Sequence, residues 1–155
     1  MFMGETKDAH VVPFIINGED YYPERSFDVV SPVTGKVAHR CGAATVSDAA
    51  AAVDAAATAF KTWRKSAPAH RRDIFLKAAD IIQQKSDELA EIMSNETGAA
   101  TPWALFNIKQ ATELIRDAAS RISAIEGSFP TLMDSNTSGI VLREPYGVVL
   151  SVAPW

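Results

Sequence analysis

Gly139-Ile140-Val141-Leu142-Arg143-Glu144-Pro145-Tyr146-Gly147-Val148-Val149-Leu150-Ser151-Val152-Ala153-Pro154-Trp155 is the stretch that decides the fold. It holds two β-rich apolar runs, Ile140 to Leu142 and Val148 to Val152, separated by Pro-Tyr-Gly and stopped by Pro-Trp. A short continuous run rich in Val and Leu, bounded by turn residues, has the pattern of a strand buried on both faces. Such strands belong to parallel sheets covered by helices. In open α/β sheets the ligand sits beyond the carboxyl ends of the strands, which here is Ala153-Pro154-Trp155. A strand of this kind needs partners along its edges and over its faces. The expectation is a fragment, or a prematurely ended product, of a longer α/β protein.

Outward from that stretch, the earlier chain divides into a β-rich part and a helical part. Met1 to Val12 reads as a loose, polar terminus, and residues 13–155 as one structural unit. Phe14-Ile15-Ile16, Asn17-Gly18 and Tyr21-Tyr22 form a hairpin pattern, with Asn-Gly supplying the positive φ angles of a type I′ turn. Phe27 to Val30 is a second candidate strand, Pro32 to Gly35 a turn, and Lys36 to Cys41 a third strand. Together they predict a small antiparallel β unit.

Four helices follow. Ser47 is the expected cap of the first, with Asp48 in its opening turn. The alanine run to Ala59 favours helix, with Val53, Ala56, Ala57, Phe60 and Trp63 on one side. Pro68 suits a first helical position, and Ile74, Phe75, Ala78, Ile81 and Ile82 make an apolar stripe opposite Arg71, Arg72 and Lys77. Ser86 opens a third helix, with Leu89, Ile92 and Met93 inward, closed by Gly98. Thr101 is the expected cap of the last, with Pro102 in its first position. From there Ile108, Ala111, Ile115, Ala118, Ile122 and Ile125 mark a seam along about six or seven turns, ended by Gly127.

Composition excludes several classes. The chain of 155 residues is 47% apolar with a net charge of −4, which lacks the basic surface that nucleic acid requires. One cysteine, Cys41, rules out an internal disulfide framework and fits a reducing, cytoplasmic setting. Met1 to His10 carries charges and no apolar core, unlike a signal peptide, and no apolar run approaches the ~18 residues of a membrane span.

Candidate chemistry is sparse. Cys41 follows His39-Arg40, but on a strand His39 and Cys41 share a face while Arg40 points away; a structural cysteine is expected. No Cys/His cluster offers metal ligands. His10, His39 and His70 fall in different elements, without the local signature of a nucleophile elbow. Glu96, near a helix end, is expected to be solvated or locally hydrogen-bonded. The sequons at Asn95 and Asn136 are read as chance. There is no Gly-x-Gly-x-x-Gly and no P-loop, and no catalytic or metal residue is assigned.

Arg143-Glu144-Pro145-Tyr146-Gly147-Val148-Val149, followed by Val152-Ala153-Pro154-Trp155, resembles the motif that opens the cofactor domain of NAD(P)-dependent aldehyde dehydrogenases. Those enzymes usually read Arg-x-Pro-x-Gly-Val-Val and then Pro-Trp-Asn. Phe14 to Gly18, Val30 to Gly35, Ala59 to Trp63 and Asn95 to Gly98 resemble the family in family order. The resemblance runs from about Phe14 to Trp155.

It implies an N-terminal part of an aldehyde dehydrogenase-like α/β fold: a small hairpin unit, then helices, leading into the first strand of a Rossmann-like sheet. Gly139 to Arg143 would belong to the arm that pairs subunits of a homo-oligomer. The family oxidises an aldehyde to a carboxylic acid with NAD or NADP. A Cys thiolate attacks the aldehyde, hydride passes to nicotinamide, and a Glu-activated water hydrolyses the thioester, with the Asn after Pro-Trp helping to hold the oxyanion. By this correspondence Val152, Ala153, Pro154 and Trp155 are the cofactor-binding positions, through their main chain. The nucleophile, base and Asn are absent, so the chain alone is expected to be inactive. Its opening and ending look most similar to the branch acting on aromatic aldehydes such as salicylaldehyde or vanillin. The competing expectation is a non-enzymatic helical module that docks a partner through the seam of Ile108 to Ile125.

Overall fold

Chain reversal at Asn17-Gly18 sets a two-stranded ribbon near the start of the described residues. Asn17 has φ 56° and Gly18 φ 82°, the paired left-handed conformations of a type I′ turn. They join Phe14–Ile16 to Glu19–Tyr21 in antiparallel register, Phe14 opposite Tyr21. The Phe14 and Tyr21 rings lie 5.0 Å apart. The computed structural model describes residues 11–153. In chain order the strands are β1 Val11–Val12, β2 Phe14–Ile16, β3 Glu19–Tyr21, β4 Ser26–Val30 and β5 Val37–Gly42. β2 and β3 form their own ribbon, while β1, β5 and β4 form a second sheet in that order.

Val11 and Val12, expected to be loose, instead run parallel to β5 opposite Arg40 and Cys41. Pro13 then interrupts the ladder, having no N–H to donate. β4 and β5 are antiparallel, with a register shift between Val29 and Val30. Their turn is closed by the Gly35 N–H donating to the Ser31 carbonyl at 2.8 Å.

The helices are α1 Val46–Trp63, α2 Pro68–Gln84, α3 Ser86–Thr97 and α4 Thr101–Arg121. Two caps differ from expectation. Thr45, not Ser47, caps α1: its hydroxyl accepts from the Asp48 N–H, and the Asp48 carboxylate accepts from the Thr45 N–H at 2.8 Å. Thr45 takes the extended backbone this reciprocal pairing needs. Ala100, not Thr101, caps α4, its carbonyl accepting from the Trp103 and Ala104 N–H groups. Gly98 closes α3 in the left-handed conformation, as expected. The long helix ends at Arg121, and Ile122–Ala124 continues as a single 3-10 turn short of Gly127.

α2 and α3 both pack on α4, and the contact is built from alanine. Ala79, Ala104 and Ala119 are wholly buried, with Ala90 and Ile108 nearly so. Small side chains let helix axes approach closely. Ile82, Leu89 and Met93 close over the cluster. Thr112 lies in the same seam, its hydroxyl donating to the Ile108 carbonyl at 2.9 Å. Ile108, Ile115 and Ile122 therefore face inward as expected, but Ala111, Ala118 and Ile125 are exposed. In α2 the buried line runs through Ala78, Ala79 and Ile82, leaving Ile74, Phe75 and Ile81 exposed. α1 contributes no buried residue.

Large apolar surface stays uncovered. The chain exposes 12,813 Å², where a compact monomer of 16.7 kDa exposes roughly 7,600 Å². No large side chain is fully buried among the described residues. The helical trio is thus held by a few tight contacts. Ala104→Leu, which forces a branched side chain into the α3–α4 contact, is expected to cost about 1–3 kcal/mol, read as a lower urea midpoint by circular dichroism. An unchanged midpoint would show that the contact has room to spare.

The α1 cap carries a pH signature. The Thr45 N–H, and then its hydroxyl, hold the Asp48 carboxyl below the ordinary aspartate range. A carboxylate depressed in the folded state stabilises above its unfolded pKa, and that contribution disappears as pH falls through the folded value. Helicity of the chain is expected to fall on acidification below the ordinary aspartate range, and Asp48→Asn to flatten that limb of the titration. An Asp48→Asn profile that overlays the parent would refute the cap's role.

Candidate functional site

The segment singled out first is not a pair of strands in the structure. Ile140 to Leu142 reaches only a single bridge, Val141 with Ser128: the Val141 N–H donates to the Ser128 carbonyl at 2.8 Å, and the Ser128 N–H returns a bond at 3.1 Å. The approach requires Gly127, since a Cβ there would run into the Val141 carbonyl. Val148 to Val152 forms no strand, and Val149, Leu150 and Val152 are exposed. Sequence pattern confers strand propensity, but a strand exists only when neighbours take up its N–H and C=O groups. Among the described residues none does so from Leu142 to Ala153.

What fixes the start of this segment is the end of α1. The Arg64 guanidinium lies over the Phe60 ring, 5.3 Å from its centre, and reaches Glu144 at 3.9 Å. Gly147, at φ 102°, passes beside the same ring, where an added Cβ would lie 3.8 Å away. Phe60 and Arg64 thereby seat the Pro-Tyr-Gly turn. The ion pair is exposed and contributes little on its own.

Of the four positions expected to meet the cofactor, Val152 and Ala153 are exposed, while Pro154 and Trp155 lie outside the described residues. Val148 to Ala153 has main-chain donors and acceptors unpaired among the described residues, and no charged side chain. That donor set suits neutral hydroxyl and amide groups. It does not fit the phosphates, which call for glycine-lined N–H groups or a Lys or Arg.

A second constellation lies at the sheet. His39 Nε2 stands 3.1 Å from Glu96 Oε1, joining β5 to the end of α3. Glu96 is therefore neither free in solvent nor bonded within its own helix. No local signal could have shown this, because the partners are remote in sequence. With Ser31, Thr34, Ala38, Ile92 and Asn95 they line a cleft of about 230 Å³. The Ser31 hydroxyl is buried there without a hydrogen-bond partner among the described residues.

Cys41 shares the His39 face of β5, as the alternation predicts, while Arg40 turns outward to Asp28 at 3.1 Å. Burial, and secondarily the charge of Glu96, raise the Cys41 pKa above its ordinary value. His39 is engaged by Glu96 rather than by the thiol. Cys41 is thus a protonated thiol near neutrality, the opposite of an activated nucleophile. His70 lies against Trp63, ring centres 6.3 Å apart, and His10 is outside the described residues. No group of three His, Cys, Asp or Glu side chains converges among the described residues.

The chain matches the aldehyde dehydrogenase family model over residues 19–155. It is 42% identical over 149 residues to a vanillin dehydrogenase from Pseudomonas sp. (strain HR199), covering 93% of this chain and 30% of that protein. Its fold matches the crystal structure of a salicylaldehyde dehydrogenase from Pseudomonas putida G7 complexed with salicylaldehyde, with TM-score 0.82 and 33% identity, over 88% of this chain and 28% of that one. An NAD-dependent aldehyde dehydrogenase from Sinorhizobium meliloti matches with TM-score 0.82 and 30% identity, again over 88% of this chain and 28% of that one. The chain belongs to the aldehyde dehydrogenase family. It spans under a third of the length of these relatives, and its mixed α/β fold is that of their N-terminal part.

The raised Cys41 pKa gives a direct test. Both causes oppose the thiolate, so alkylation by iodoacetamide at pH 7 is expected to run slower than for a free small-molecule thiol, and to quicken in Glu96→Gln. Faster labelling than the free thiol would mean an activated cysteine.

Proposed function

We propose that this chain is the N-terminal portion of an NAD- or NADP-dependent oxidation of an aromatic aldehyde to its carboxylic acid. The observation that carries the proposal is the Arg143 to Val149 motif, followed by Val152-Ala153-Pro154-Trp155, within a family match running from residue 19 to residue 155. The similarity to vanillin and salicylaldehyde dehydrogenases supports an aromatic substrate. When bound, the nicotinamide accepts the hydride. In this proposal the main chain of Val152 to Trp155 lines its ribose side. Phe60 and Arg64 position that segment by gripping the turn before it. The arm around Val141 pairs subunits of a homo-oligomer.

Catalysis by the chain alone is not part of the proposal. Cys41 is held protonated and its neighbouring histidine is committed to Glu96, so no nucleophile–base pair is available among the described residues. Purified chain given benzaldehyde with NAD or NADP is expected to form no reduced nucleotide above the blank. Turnover that disappears in Cys41→Ser would overturn this. In a chimera where residues 13–155 replace the matched part of the Pseudomonas putida enzyme, salicylaldehyde oxidation is expected, with Ala153→Pro, which removes a main-chain N–H, raising KM for the nucleotide. A soluble, folded chimera without turnover would sink the proposal.

The helical-module alternative would have to dock through the outer residues of the α4 seam, such as Ala118 and Ile125, since α2 and α3 pack on α4 along the line of Ile108. The two readings also part in solution. The enzyme-portion reading predicts strong binding of a hydrophobic dye and concentration-dependent association. A monodisperse monomer with a sharp melt and no dye signal would instead favour the module.

A further inference from the structure

We draw no further inference here: the strongest candidate, the cleft between the Ser31–Gly35 turn and helix α3 where the buried Ser31 hydroxyl lacks a partner among the described residues beside His39 and Glu96, carries nothing because the chain spans under a third of its relatives' length and nothing in the structure shows whether a ligand or further protein covers it.

Discussion

Main-chain hydrogen bonding governs what this chain becomes. Each residue of an extended segment brings a donor and an acceptor that must be paired by a neighbouring strand or left to water. β4 and β5 meet that demand by lying antiparallel, and β2 and β3 by a turn only Asn17-Gly18 closes cheaply. Val148 to Val152 has the side chains of a central strand and finds no ladder among the described residues. It stays irregular, and its valines and leucine face solvent. Burying such residues stabilises by about 25 cal/mol per Å² of apolar surface, but only after the backbone groups have partners.

The helices show a related limit in side-chain packing. α4 is central because its alanines and Ile108 let α2 and α3 approach it closely. The contact is tight but narrow. α2 turns Ala79 inward and leaves Ile74, Phe75 and Ile81 outside, which gives it apolar residues on more than one side. Arg116 reinforces the α2–α4 contact, reaching Asp80 at 3.1 Å and Gln83 at 2.6 Å. Exposed pairs of this kind add little stability. The cohesion comes mainly from the small-residue contact.

These facts explain what the amino-acid pattern could and could not reveal. Elements ruled by neighbours in sequence were legible: the Asn17-Gly18 turn, the Gly98 stop, Pro68 opening α2, and the existence of all four helices. The caps of α1 and α4 were misplaced by one or two positions because Thr45-Val46-Ser47 and Ala100-Thr101 offer competing candidates, and the Asp48 carboxylate decides the first. Which side of a helix is inward was only partly legible. With apolar residues on several faces of α2, the choice depends on the shape of α4, which no periodicity contains. The His39–Glu96 pair and the seating of Glu144 and Gly147 by Arg64 and Phe60 join residues far apart in the chain, so no local rule could have found them. The family motif was legible because its residues are contiguous.

A cofactor contact made by main chain differs in kind from one made by side chains. An Arg or His carries its chemistry wherever the backbone goes, whereas a carbonyl or N–H binds only when its strand is held in place. Val152 and Ala153 have no special side chain to offer a nucleotide, so their value as a site depends on strand geometry that they do not possess here. Under the proposed function, the energy of ordering Val148 to Ala153 and the energy of gripping the ribose are therefore coupled. Fixing one residue's backbone costs about 1–2 kcal/mol, and an unpaired segment must meet that cost from the nucleotide contact itself. A segment already locked in a sheet has met it beforehand, which is the physical content of preorganisation. Under the proposed function, whatever pairs the main chain of this segment is therefore as much a part of the site as the atoms that touch the cofactor.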